Sequence, residues 1–211
     1  MEKKENQFRF LEEIKLHMVI RAIVYADSEE DALREAESVF DSLVEEGCFD
    51  YHTMFNTDES TVSGKARWGP ITPVALADSP EGKKLIDERM ESTKKEFMDS
   101  VKNVRSAIEN FTDEELWTGK RNDEVRGLAD ALLNEEKKMN SILSYFRYSC
   151  DNIGSYAGPQ IWLYDANDNG IRDINHLKNV LNKWSCIYED VGKSNPYIDK
   201  KIYVVPADVH F

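Results

Sequence analysis

The sequence predicts an α+β fold: a ferredoxin-like split β-α-β sandwich, built from two β-α-β units, with a large helical-hairpin insertion between them. Three observations predict it. Apolar residues alternate at period two near both ends of the chain, each time beside a helix-period stretch. Two long helix-period stripes fill the middle. The chain has 211 residues, 41% of them hydrophobic, with four Trp, nine Tyr and nine Phe, enough to bury one core.

The elements follow in order. Residues 1–14 are polar and read as an N-terminal tail or short helix. From Lys15 to Tyr25, Leu16, Met18, Ile20, Ala22 and Val24 alternate, and Val19, Ile23 and Tyr25 make the other face apolar too. A strand apolar on both faces is central and covered twice. Ser28 with Asp31 then opens a helix, and Glu29, Glu30 and Asp31 suit its positive end. Ala32, Ala36, Val39, Phe40 and Leu43 share one face, and Gly47 stops the helix. Phe49, Tyr51, Thr53 and Phe55 alternate in a second strand. Residues 15–55 are thus the first β-α-β unit.

Residues 56–158 form the insertion: a loop to residue 79, then the hairpin. In the loop, Trp68, Ile71, Val74 and Leu76 suggest packing. Pro80 starts a helix of some thirty residues with the stripe Ile86, Met90, Phe97, Val101, Val104, Ile108 and Phe111. Thr112 and Glu115 cap a short helix after it. A second long stripe runs over 123–149. Residues 159–211 are the second β-α-β unit: a strand over 160–165, a helix carrying Ile174, Leu177, Val180, Leu181 and Trp184, and a terminal strand over 201–211. Residues 15–211 read as one compact domain.

The net charge is −13. A field of that sign repels polyanions, so generic nucleic-acid binding is excluded. The charge is uneven: residues 1–56 hold 14 acidic and 6 basic side chains, residues 159–211 hold 7 and 6. Glu29, Glu30, Asp31, Glu35, Glu37, Asp41, Glu45 and Glu46 concentrate it on the first helix. That face reads either as solvated surface or as a docking surface for a basic protein. No apolar run is long enough to span a bilayer, and the flank of Leu16–Ala26 is wrong for a signal peptide. Three cysteines, Cys48, Cys150 and Cys186, form no CxxC pair and read as reduced thiols, which places the protein in the cytoplasm. Self-association is left open, and no cofactor is expected.

Two constellations carry chemistry. Asp165, Asn167, Asn169 and Gly170 match the early positions of a calcium loop, with Asp173 at its ninth. His176 stands where the bidentate acid belongs, so the favoured reading is a turn with Asn-Gly supplying left-handed backbone and Asp173 capping a helix. The second is fold-dependent. An all-antiparallel split fold puts His17, His52, His176 and His210 at one end of the sheet, with Asp165 and Asp208 near them. Imidazoles with carboxylates can hold zinc, iron or manganese. No phosphate loop, nucleophile elbow or dinucleotide fingerprint occurs, and no catalytic residue is assigned.

The reading favoured on this basis is a non-enzymatic interaction or accessory protein that docks a basic partner, with a virus- or plasmid-type inhibitor as a special case. The alternatives are a metal-dependent enzyme using the His/Asp end of the sheet, and a small-molecule binding module near Trp68, Trp162 and Tyr164.

Overall fold

The computed structural model describes residues 17–58, 60–118, 146, 149, 150, 153, 162–183 and 195–211. In chain order the elements are β1 (His17–Ala26), α1 (Glu29–Glu45), β2 (Tyr51–Met54), α2 (Lys65–Trp68), β3 (Ala75–Leu76), α3 (Pro80–Asn110), α4 (Asp113–Thr118), β4 (Leu163–Tyr164), α5 (Ile174–Leu181) and β5 (Lys201–His210). The chain divides into two compact units, residues 1–92 with 161–211, and residues 93–160.

In the first unit, β1 and β5 pair antiparallel over all ten residues, from His17↔His210 to Ala26↔Lys201. Among the described residues they are the centre of a five-stranded mixed sheet of order β2-β5-β1-β4, with β3 also on β5. The far edge of β5 carries two short antiparallel strands, β2 against residues 207–210 and β3 against 203–204. The α+β class expected from the sequence is present. The strand order departs from the split arrangement: β4 runs parallel to β1, and β2 joins β5 instead of β4.

Pro206 sits in the middle of this sheet, where a proline normally breaks the ladder. The Arg21 N–H bonds the Trp162 carbonyl, on the β4 side. Its register partner Pro206 therefore points its own nitrogen away from β1. On that side β2 has ended at Ala207 and β3 begins at Val204. The missing N–H faces the gap between them.

Alternation along the strands gives the sheet two faces. Met18, Ile20, Ala22 and Val24, with Val205, Ala207 and Val209, pack under α1 through Ala32, Ala36, Val39, Phe40 and Leu43. Those five are the buried residues of α1, matching the sequence stripe. Ser28 caps the helix by accepting from the Asp31 N–H at 3.1 Å. On the other face Ile23, Tyr25 and Val204 pack with Leu85 and Ile86 of α3 and Leu177 and Val180 of α5. This second face is apolar at one end only. Toward the start of β1 it carries His17, Arg21, Asp208 and His210.

The loop expected over 56–79 contains α2 and β3. Ile71 and Val74 pack against the two cores, while Trp68 and Leu76 are exposed. In the second unit, α3 ends at Asn110, and the Thr112–Glu115 box opens α4, each side chain accepting the other's backbone N–H. The second hairpin helix, expected over 123–149, lies outside the described residues apart from Phe146 and Ser149. Among the described residues, no helix is long and apolar enough to cross a membrane.

Candidate functional site

Residues that face each other in register share a face of the sheet. His17 therefore stands beside His210, and Val19 beside Asp208. Strand β2 adds Tyr51 opposite His210 and Thr53 opposite Asp208. Five polar side chains thus meet at one end of the second face.

Asp208 is the centre of this group and is completely buried. Its carboxylate lies 3.1 and 3.2 Å from His17 Nδ1. A carboxylate only accepts, so Nδ1 carries the proton. The Gly64 N–H donates to its Oδ2 at 2.9 Å. Gly64 adopts φ 57°, ψ −129°, and a Cβ there would meet Thr53 Cγ2 at 2.9 Å. Only glycine brings its N–H this close without strain. Thr53 Oγ1 and Ser63 Oγ are 2.8 Å apart, which ties the loop to β2. Thr53 and Ser63 also line a cavity of about 290 Å³ with Thr57, Asp58, Ser60, Lys65 and Ala66.

With Nδ1 engaged, His17 turns Nε2 toward the Tyr51 hydroxyl, 3.4 Å away. Burial, and then the charge of Asp208, push the Tyr51 phenol above its ordinary value of 10.0, so it keeps its proton. The Tyr51 ring stacks on His210 with centroids 5.0 Å apart and planes within 7°. His210 stands edge-on to His17 at 4.8 Å, and its Nδ1 meets Asp50 Oδ2 at 2.9 Å. Each of the two imidazoles thus has a carboxylate on Nδ1, and His17 turns its Nε2 to Tyr51.

The six residues expected to converge divide among three places. His17, Asp208 and His210 come together. His52 belongs to the opposite face, where Nε2 lies 2.8 Å from Asp41 and its ring packs on Phe40. Asp165 and His176 lie toward the other end of β1, because parallel β4 (Ala22↔Tyr164) carries the chain away from His17. Among the described residues, no group of three or more His, Cys, Asp or Glu is placed to hold a metal ion.

The Asp165–His176 pair is a loop clasp. Asp165 accepts from the Asn167 and Asn169 N–H groups and lies 3.3 Å from His176 Nε2. Burial alone would raise its pKa, but these hydrogen bonds outweigh it and hold Asp165 below its ordinary 3.8. The Asp165 hydrogen bond, against partial burial, lifts His176 above 6.5. The string with calcium-loop spacing is a tight reversal in which Ile171 N–H returns to Leu163 O. The left-handed residue is Asp168, with φ 56°, instead of the expected Asn-Gly. Asp173 caps α5 as expected, accepting from the Asn175 and His176 N–H groups.

The acidic residues of α1 face solvent: Glu29, Glu30, Glu35, Glu37, Asp41, Glu45 and Glu46 are exposed and Asp31 is half-buried. The lone basic side chain on this helix, Arg34, is paired with Asp31. Cys48 follows α1, and burial with the nearby Glu46 pushes its thiol up, which disfavours a nucleophilic thiolate.

Sequence reasoning misses Tyr51, Thr53, Asp50 and Gly64 as members of this site. Tyr51 and Thr53 are visible as alternating strand residues, but their partners across the sheet are not. Gly64 has a local signal, a Ser-Gly turn, with nothing to connect it to Asp208.

The fold and this site define an α+β protein with a histidine-carboxylate cluster on its sheet. The chain belongs to the family described as Domain of unknown function (DUF7995), whose model matches residues 16–129 and 120–211. No curated protein and no solved structure matches it.

Proposed function

We propose that the protein acts on a small molecule through the polar end of its sheet, with His17 as the acid–base group. One observation carries this reading: a fully buried carboxylate, Asp208, fixes His17 by Nδ1 at 3.1 Å while the Gly64 N–H holds the same carboxylate. A packed core gains nothing from a buried Asp–His pair, which costs desolvation that apolar residues avoid. A proton-transfer site does gain: the carboxylate fixes the ring's tautomer and orientation and stabilises the imidazolium when Nε2 takes a proton. The Tyr51 hydroxyl marks where a substrate hydroxyl or water would stand relative to Nε2. The cavity beside Thr53 and Ser63 offers room for the remainder of a small ligand.

The test is a small-molecule library screened by thermal shift and by product formation, on the full chain and on His17→Gln. Hits that depend on His17 and Asp208 support the reading. If every hit behaves identically in His17→Gln and Asp208→Asn, it is wrong. Metal chemistry is a variant of the same site, since metal-binding histidines also place their second nitrogen on a carboxylate. Stoichiometric zinc, iron or manganese in untagged protein, lost in His17→Gln, would favour that variant.

A second reading rests on the exposed α1 face. Eight carboxylates against one already paired arginine suit docking of a basic protein in the manner of an accessory or inhibitory factor. Its mark would be a captured partner of high pI that is released by salt.

A further inference from the structure

Arg21 is a guanidinium buried in the sheet, 3% exposed, on the same face as His17 of β1 and Asp208 of β5. Beyond the two residues of β4, the edge of β1 opens, and the Val19 carbonyl meets no strand there among the described residues. Arg21 Nη1 turns back to donate to that carbonyl at 3.1 Å, and Arg89 Nη1 approaches it at 3.4 Å. The Arg89 guanidinium also lies 5.1 Å over the Trp162 ring. Two cations therefore converge on the carbonyl of Val19, the residue that faces Asp208.

The neutralisation of Arg21 is incomplete. Among the described residues its carboxylate partner is Glu88, 3.4 Å from Nη2, whose side chain is 42% exposed. Nε is buried and has no hydrogen-bond partner among the described residues. Nε and Nη2 are the two donors of the side-on edge of a guanidinium, the edge that grips a carboxylate or phosphate with two parallel hydrogen bonds. One donor of that edge is unused and the other has a long contact to a carboxylate free to swing into solvent. Burial, and then the neighbouring Arg89, pull the Arg21 pKa down to about 9, so the group is still charged at neutral pH but poorly compensated.

We infer that Arg21, with Arg89 beside it, is the recognition point for an oxyanion group, a carboxylate or phosphate, on the small molecule taken by the His17–Asp208 site. The inference rests on that site reading for the identity of the ligand's other end, and on Arg21 alone for the anion. His17 and Arg21 are four residues apart on one strand, roughly 13 Å between Cα atoms. Arg21 bends back to Val19, the residue between the two on that face, so the proposed ligand would reach from Arg21 toward His17. Glu88 contacts one donor of the fork, Nη2, in the ligand's absence and would yield it on binding.

The experiment is thermal denaturation of the full chain titrated with inorganic phosphate and, separately, succinate, against sodium chloride at matched ionic strength. A saturable rise in Tm of several degrees is expected with at least one of the two anions. Arg21→Met should abolish it, and Arg21→Lys, which keeps the charge without the fork, should weaken it about tenfold. Glu88→Gln, on an exposed side chain, should tighten binding several-fold and does not depend on whether Arg21→Met folds. His17→Gln should leave the anion response in place, so loss of the acid–base reading and loss of this one are told apart. A wild-type response no larger than that of chloride, a response unchanged in Arg21→Met, or one not strengthened in Glu88→Gln overturns the inference.

Discussion

The Asp208 carboxylate and the Gly64 backbone N–H meet at 2.9 Å across 144 positions of sequence. The contact closes the loop after β2 over the buried end of β5. It also makes Asp208 the acceptor for two donors at once, since His17 Nδ1 lies within 3.2 Å of both its oxygens. Replacing Asp208 by Ala strands both donors in a buried place. A destabilisation of about 3 kcal/mol is expected, read from the urea midpoint. Asp208→Asn keeps the shape, so it should cost less while changing the His17 ring-nitrogen NMR signals.

Two glycines with similar φ should respond differently to alanine. Gly47 has φ 74°, and a Cβ added there would meet nothing within 4 Å, so Gly47→Ala should cost only the left-handed penalty, about 1 kcal/mol. Gly64→Ala adds a 2.9 Å collision with Thr53 and disturbs the Asp208 contact, so about 2–3 kcal/mol is expected. Equal midpoints for the two variants would show that the Gly64 loop adapts freely.

The Asp165–His176 clasp gives stability a pH signature. His176 is raised above 6.5 in the folded chain, so its contribution is full below the unfolded value and disappears as pH rises through the higher folded one. Asp165 is held below 3.8, so its contribution is full above that value and disappears as pH falls through the lower folded one. The gap between wild type and His176→Asn should therefore be widest near pH 5–6 and should narrow above pH 7. Denaturant midpoints across that range measure it, and a gap that widens with rising pH would contradict the assignment.

The face of α1 separates stability from association. Glu35→Lys with Glu37→Lys alters exposed side chains on a helix whose buried stripe is untouched. The stability change should stay within about 0.5 kcal/mol. Any captured basic partner should be lost, with weaker salt dependence in what remains. Ser28→Ala does the reverse: loss of the N-cap should cost about 1 kcal/mol and leave association unchanged.

What the sequence discloses is what depends on local periodicity. The five buried residues of α1, the start of α3 at Pro80 and the Thr112–Glu115 box follow from spacing and capping chemistry alone. Both long strands are legible for the same reason. The direction of β4 is not, because a two-residue strand has no period from which its pairing or orientation could be read. That single direction decides the candidate site: it moves Asp165 and His176 away from His17. The pairing of His17 with His210 follows from antiparallel strands, but their shared face follows only from register. Elements α2 and β3 are too short to leave a pattern, and the role of Gly64 is hidden with them.

The gap beside Pro206 has a consequence for the molecule's behaviour in a crowded solution. Of the two long strands, β5 lies inside the sheet, and the margin it would otherwise present is taken by β2 and β3, strands of four and two residues. An invading segment seeking to extend along β5 would have to displace β2 and β3 together and would still find no donor at Pro206. The proline thus works as a built-in interruption that keeps a ten-residue strand from becoming a nucleus for intermolecular sheet growth.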